Sequence, residues 1–107
     1  MSWDFEHQKA VTDVTLKEIE AGGDLAMGQN VTLDLEFLPV AGADAEACAK
    51  ALKMFGYEVE VHEDGMIAAS LDDVPLTLDG VWTAEERATK IAIERGYEPD
   101  GWGFMEP

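Results

Sequence analysis

The chain has 107 residues, of which 47% are hydrophobic, enough apolar matter for one packed domain spanning 1–107 and too much for wholesale disorder. Against 23 Asp and Glu it carries seven Lys and Arg, a formal net charge of −16. That charge disfavours direct RNA, DNA or membrane-surface binding, which needs basic patches, and leaves either a basic protein partner, steered over about 8 Å at physiological ionic strength, or acidity that serves solubility alone.

From about Asp4 to Ala21 no proline or glycine interrupts a helix-favouring composition, and Gly22-Gly23 supply a stop. Trp3, Ala10 and Val14 fall near one side of this first helix and Phe5, Leu16 and Ile19 near another, with Val11 between, so cover on more than one side is expected. Val31, Leu33, Leu35 and Phe37 then alternate with Thr32, Asp34 and Glu36 in the period-two pattern of a half-buried strand, ended by Pro39 and Gly42. Asp44 is placed to cap a second helix in which Cys48, Ala51, Leu52 and Phe55 recur at helical spacing before Gly56. Cys48 reads as a small core residue of that helix.

Tyr57, Val59 and Val61 alternate with Glu58, Glu60 and His62 in a second strand, which turns at Glu63-Asp64-Gly65 into a third, nearly all apolar from Met66 to Leu71. Asp72-Asp73 falls in a loop near Pro75 on this reading. Thr83-Ala84-Glu85-Glu86 has the form of a capping box that opens a third helix, with Trp82 stapled against it and Gly96 as its stop. A last strand is expected within Tyr97 to Met105.

After the first helix the order is strand, helix, strand, strand, helix, strand. That is the split βαβ order of an α+β, ferredoxin-like βαββαβ sandwich, here with an additional N-terminal helix. Both later helices would cover one sheet face. The other would carry Asp34, Glu36, Glu58 and Glu60 as a docking surface, unless the N-terminal helix lies across it. In Asp100-Gly101-Trp102-Gly103 two glycines allow bulge or turn geometry around an indole, a structural motif. Trp102 is either an anchor at the sheet or a hot spot within a partner interface.

Chemistry is not written into the chain. No nucleophile stands beside a recognisable base, His7 and His62 belong to no motif, and Asp72-Asp73 and Glu85-Glu86 are pairs that an acidic chain produces by chance. Zinc spacing, a calcium loop and a phosphate-cradling loop are all missing, since Gly22-Gly23 runs into Asp24 rather than Lys-Ser or Lys-Thr. No catalytic residue, metal or cofactor is expected. Cys48 is the only cysteine, so no internal disulfide forms, and Met1-Ser2-Trp3-Asp4-Phe5-Glu6-His7 lacks the basic start and apolar run of a signal peptide; a cytoplasmic protein is expected.

The alanine-rich second helix running into Lys53-Met54-Phe55-Gly56-Tyr57-Glu58-Val59, together with Tyr97-Glu98-Pro99-Asp100-Gly101-Trp102-Gly103, resembles the regulator of ribonuclease activity B (RraB-like) family, over nearly the whole chain. The resemblance implies an N-terminal helix on a ferredoxin-like core. It also implies a protein without chemistry of its own that binds the endoribonuclease ribonuclease E and inhibits or redirects its cleavage of RNA. The alternative is a small homodimeric ligand-binding or structural domain of the same fold with no ribonuclease partner.

Overall fold

The computed structural model of the chain describes residues 3–22 and 28–105. Among them are three helices and four strands in the order α1 (Phe5–Gly22), β1 (Asn30–Pro39), α2 (Ala45–Met54), β2 (Glu58–Val61), β3 (Ile67–Pro75), α3 (Leu78–Ile93) and β4 (Tyr97–Met105). The protein is an α+β structure built on one antiparallel sheet with strand order β2-β3-β1-β4.

Alternation along β1 sets the layers. Val31, Leu33, Leu35 and Phe37 are buried beneath the helices, while Thr32, Asp34 and Glu36 point to the other side. β3 meets this with Ile67, Ala69 and Val74, and α2 and α3 close the core with Leu52, Val81, Ala88 and Ala92. Asp44 caps α2 by accepting from the Ala47 N–H at 3.0 Å. Gly56, at φ 95°, then takes the left-handed backbone that turns the chain out of the helix toward β2. Two buried tyrosines tie separate elements together: Tyr57 donates to the Ala84 carbonyl in α3, and Tyr97 donates to the Gly65 carbonyl in the β2–β3 turn, each at 2.6 Å.

Two expectations are corrected, and an alternative left open is decided. The third helix begins at Leu78 and not at Thr83, because Thr77 caps it, accepting from the Gly80 N–H at 3.0 Å. Gly80, a poor helix former, is needed there, since a Cβ would collide with the carbonyl oxygen of Pro75. Trp82 and Glu85 are consequently interior residues of α3, both buried, and the capping box and staple do not form.

Asp72-Asp73 lies in β3 instead of a loop. The β1–β3 register shifts between Val31 and Leu33, and Asp73, at φ 59°, absorbs the irregularity.

The N-terminal helix does not cross the acidic sheet face; α1 packs against α3 on the helical side. Its buried residues are Gln8, Thr12 and Leu16, spaced by one helical turn each. Two of the three are polar, while Val11 and Val14 are exposed, which is why its apolar residues trace no single stripe. Of its expected stop, Gly22 ends the helix and Gly23 lies outside the described residues. Among the described residues no helix is long and apolar enough to cross a membrane.

Candidate functional site

The open face of the sheet is a grid with a defined register. Glu58 of β2 pairs with Ser70 of β3, Ser70 with Asp34 of β1, and Asp34 with Gly103 of β4. The neighbouring row runs Glu60, Ala68, Glu36, Gly101. Strands spaced about 4.8 Å apart place the β2 and β1 carboxylates about 10 Å apart, with only Ala68 and Ser70 between them. Gly101 and Gly103 leave the backbone bare on the far side. The face is therefore shallow, with Glu36, Glu58 and Glu60 exposed and Asp34 half-buried, accepting a 2.7 Å hydrogen bond from the Ser70 hydroxyl.

The structure thus brings Asp34, Glu36, Glu58 and Glu60 onto one surface. It adds Asp72, whose carboxylate accepts from the Thr32 hydroxyl at 2.9 Å, a residue hidden from sequence reasoning by the loop assignment.

Each strand contributes two carboxylates and no strand contains Lys or Arg. All seven Lys and Arg lie on the helices or, in the case of Arg95, in the turn after α3. Several are engaged locally: Lys17 pairs with Asp13 at 3.2 Å, and Lys90 pairs with Glu86 at 3.8 Å while lying over the Phe5 ring. The helical layer mixes charge signs. The sheet layer does not.

Trp102 is not on the acidic face. The β1–β4 register shifts between Glu36 and Phe37, where Asp100 is the extra residue and Gly101 adopts φ 154°. Trp102 is thereby set opposite Leu35, so its indole lies on the helical side, half-buried and tilted against Phe104 with ring centroids 6.4 Å apart. The Asp100-Gly101-Trp102-Gly103 motif is a bulge that turns the indole inward and leaves the outward surface without side chains at its two glycines.

That indole forms part of a second feature, a cleft of about 380 Å³ between α1, α3 and the β1–β4 side of the sheet. Its walls include Trp3, Val11, Leu35, Phe37, Pro99 and Trp102. Polar groups converge at its base. The Trp3 indole N–H donates to Gln8 Oε1 at 2.7 Å; Gln8 Nε2 donates to Glu85 Oε2 at 2.8 Å and to Thr89 Oγ1 at 3.0 Å; the Thr12 hydroxyl donates to Glu85 Oε1 at 2.7 Å. Glu85 is only 5% exposed. Burial pushes its carboxyl above the ordinary carboxylate pKa, and the hydrogen bonds from Thr12 and Gln8 draw it partly back.

A pH dependence follows. With its pKa raised on folding, Glu85 favours the native state most below the unfolded carboxyl pKa, and that contribution is lost as pH rises through the native value. Glu85→Gln removes the titration while the introduced amide can still accept from Gln8 and donate to Thr12 Oγ1. The denaturation midpoint of E85Q is expected to gain steadily on wild type between acid and neutral pH. A gap between the two proteins that stays constant with pH would contradict this.

The other reactive side chains are elsewhere. Cys48 is fully buried in α2, and desolvation pushes its thiol up to about 11, so it is protonated at neutral pH. His62 is exposed in the β2–β3 turn and His7 lines the mouth of the cleft, so the two histidines do not meet. Glu85 and Glu86 diverge, one into the cleft and one toward Lys90. Among the described residues no group of three His, Cys, Asp or Glu could hold a metal ion. Compared with models of known protein families and with curated proteins, the chain matches none.

Proposed function

We propose that this protein is an acidic, catalytically inert RraB-like regulator that acts in the cytoplasm, docks its open sheet face on a basic surface of ribonuclease E, and lowers or redirects RNA cleavage. The observation that carries the reading is the segregation of charge: every Lys and Arg sits with the helices, which leaves a sheet face with carboxylates and no cation. Such a face repels RNA and complements the cationic ground on which a ribonuclease grips phosphates. The strand order β2-β3-β1-β4, with helices on both crossovers, supports a ferredoxin-like reading of the core, and the Gly-Tyr-Glu-Val and Asp-Gly-Trp-Gly segments support the family resemblance. A homodimer through this same face is disfavoured, because it would set Glu36, Glu58 and Glu60 against their own copies.

The test is a titration of ribonuclease E from the same source with the purified protein, following both binding and the cleavage rate of a defined RNA across a series of salt concentrations. Cleavage is expected to fall as the complex forms, and affinity to drop steeply as salt rises. Binding that is indifferent to salt would reject the electrostatic docking, and the absence of any complex at low salt would reject the partner.

A further inference from the structure

The cleft beneath α1 has the form of a small-molecule site that the docking function does not use. Its volume of about 380 Å³ falls within the range of ligand pockets, and its walls are apolar with a few polar groups converging at the base. The side chains that supply those polar groups, Gln8, Thr12, Glu85 and Thr89, are all buried.

The carboxylate at the base lacks a counter-ion. None of the ion pairs among the described residues involves Glu85, and its hydrogen-bond donors, Gln8 and Thr12, are neutral. Buried carboxylates are normally paired with a cation, because removal from water is costly without one. Each Glu85 oxygen accepts one hydrogen bond from the protein, and a carboxylate oxygen has room for a second. Trp3 and Trp102 both line the space above, and indole is the aromatic ring best suited to a cation. The titratable groups at the mouth are Asp4, just before α1, and His7 of α1. An organic anion would meet Glu85 and Asp4, and a neutral molecule would fill the walls while leaving the carboxylate uncompensated.

We propose that this cleft binds a small hydrophobic ammonium compound, with the apolar body between Trp3 and Trp102 and the ammonium donating to the Glu85 carboxylate. The site is independent of ribonuclease docking, since it lies on the helical side of the sheet and none of the open-face carboxylates lines it. Burial holds the Glu85 proton more tightly than an ordinary carboxyl does, so binding of the cation favours its release.

The experiment is a titration of the isotopically labelled full chain with three probes that share one phenethyl body, phenethylammonium, 2-phenylethanol and 3-phenylpropionate, followed by amide and indole NMR shifts at constant salt. Phenethylammonium is expected to shift the Gln8 side-chain amide and the Trp3 and Trp102 indole N–H signals saturably. The alcohol should bind about tenfold more weakly or worse, the margin of a charged hydrogen bond, and the acid should not bind. E85Q should bring the ammonium down to the affinity of the alcohol. Equal binding of alcohol and ammonium to the wild-type protein would overturn the proposal. So would shifts confined to Glu36, Glu58 and their strand neighbours, which mark mere attraction to the acidic face, and so would no response to any probe.

Discussion

Reversing two charges on the open face, with Glu36→Lys and Glu58→Lys in one protein, is expected to weaken the proposed ribonuclease E complex by about 100-fold or more while leaving the protein folded. Like charges brought together at an interface cost several kcal/mol, and two reversals within a shallow acidic grid convert attraction into that penalty. Both side chains are exposed, and neither belongs to an ion pair or side-chain hydrogen bond among the described residues, so the fold has little to lose. Relief of repulsion among neighbouring carboxylates works in the same direction. The measurement is a binding isotherm at several salt concentrations beside a thermal melt. The variant should show a shallower salt dependence as well as a weaker complex; unchanged affinity with an unchanged melt would move the docking site off this face.

The largest effect on stability is expected from Gly96→Ala, a loss of about 2–4 kcal/mol. Gly96 adopts φ +83°, and a Cβ there would lie 2.6 Å from Ala43 Cα and 2.8 Å from Ala43 N, both backbone atoms that cannot rotate aside. The same turn clamps the start of α2 to the end of α3: the Val40 N–H donates to the Gly96 carbonyl at 2.8 Å and the Asp44 N–H to the Arg95 carbonyl at 3.0 Å. Asp44 is the N-cap of α2, so displacing this turn disturbs two helices and the entry to β4 together. Gly103→Ala is the matched control. No heavy atom lies within 4 Å of its Cβ position, and a change within about 0.5 kcal/mol is expected. Equal denaturant midpoints for G96A and wild type would show that the clamp is slack.

How far the sequence discloses the fold depends on how local each signal is. The alternation in β1 needs only its own residues, and it placed Asp34 and Glu36 on the outer face correctly; Glu58 and Glu60 followed from the same period in β2. α2 was bounded by Asp44 and Gly56, whose roles are set by backbone geometry within one turn. The start of α3 is hidden because Thr83-Ala84-Glu85-Glu86 matches a capping pattern, whereas the cap is Thr77, three residues before a glycine. The reason for a glycine there is the Pro75 carbonyl pressed against it, which no local rule reveals. The cleft was illegible for a stronger reason. Gln8 and Glu85 are 77 positions apart, and the buried stripe of α1 is largely polar, so neither periodicity nor a motif could bring them together. Glu85 instead falls inside a chance capping pattern, Thr83-Ala84-Glu85-Glu86, whose closing residue is Glu86. The flanking glycines mark Trp102, yet its side depends on the bulge at Asp100, which shifts the pairing with β1.

The division of charge between layers gives the molecule an electric dipole with a component along the sheet normal, with the unmixed anionic layer at its negative end. In the field of a cationic target such a body experiences a torque as well as a pull. It therefore turns its strands forward before contact, and the fraction of collisions that arrive in a productive orientation exceeds what a uniformly charged sphere of the same net charge would achieve.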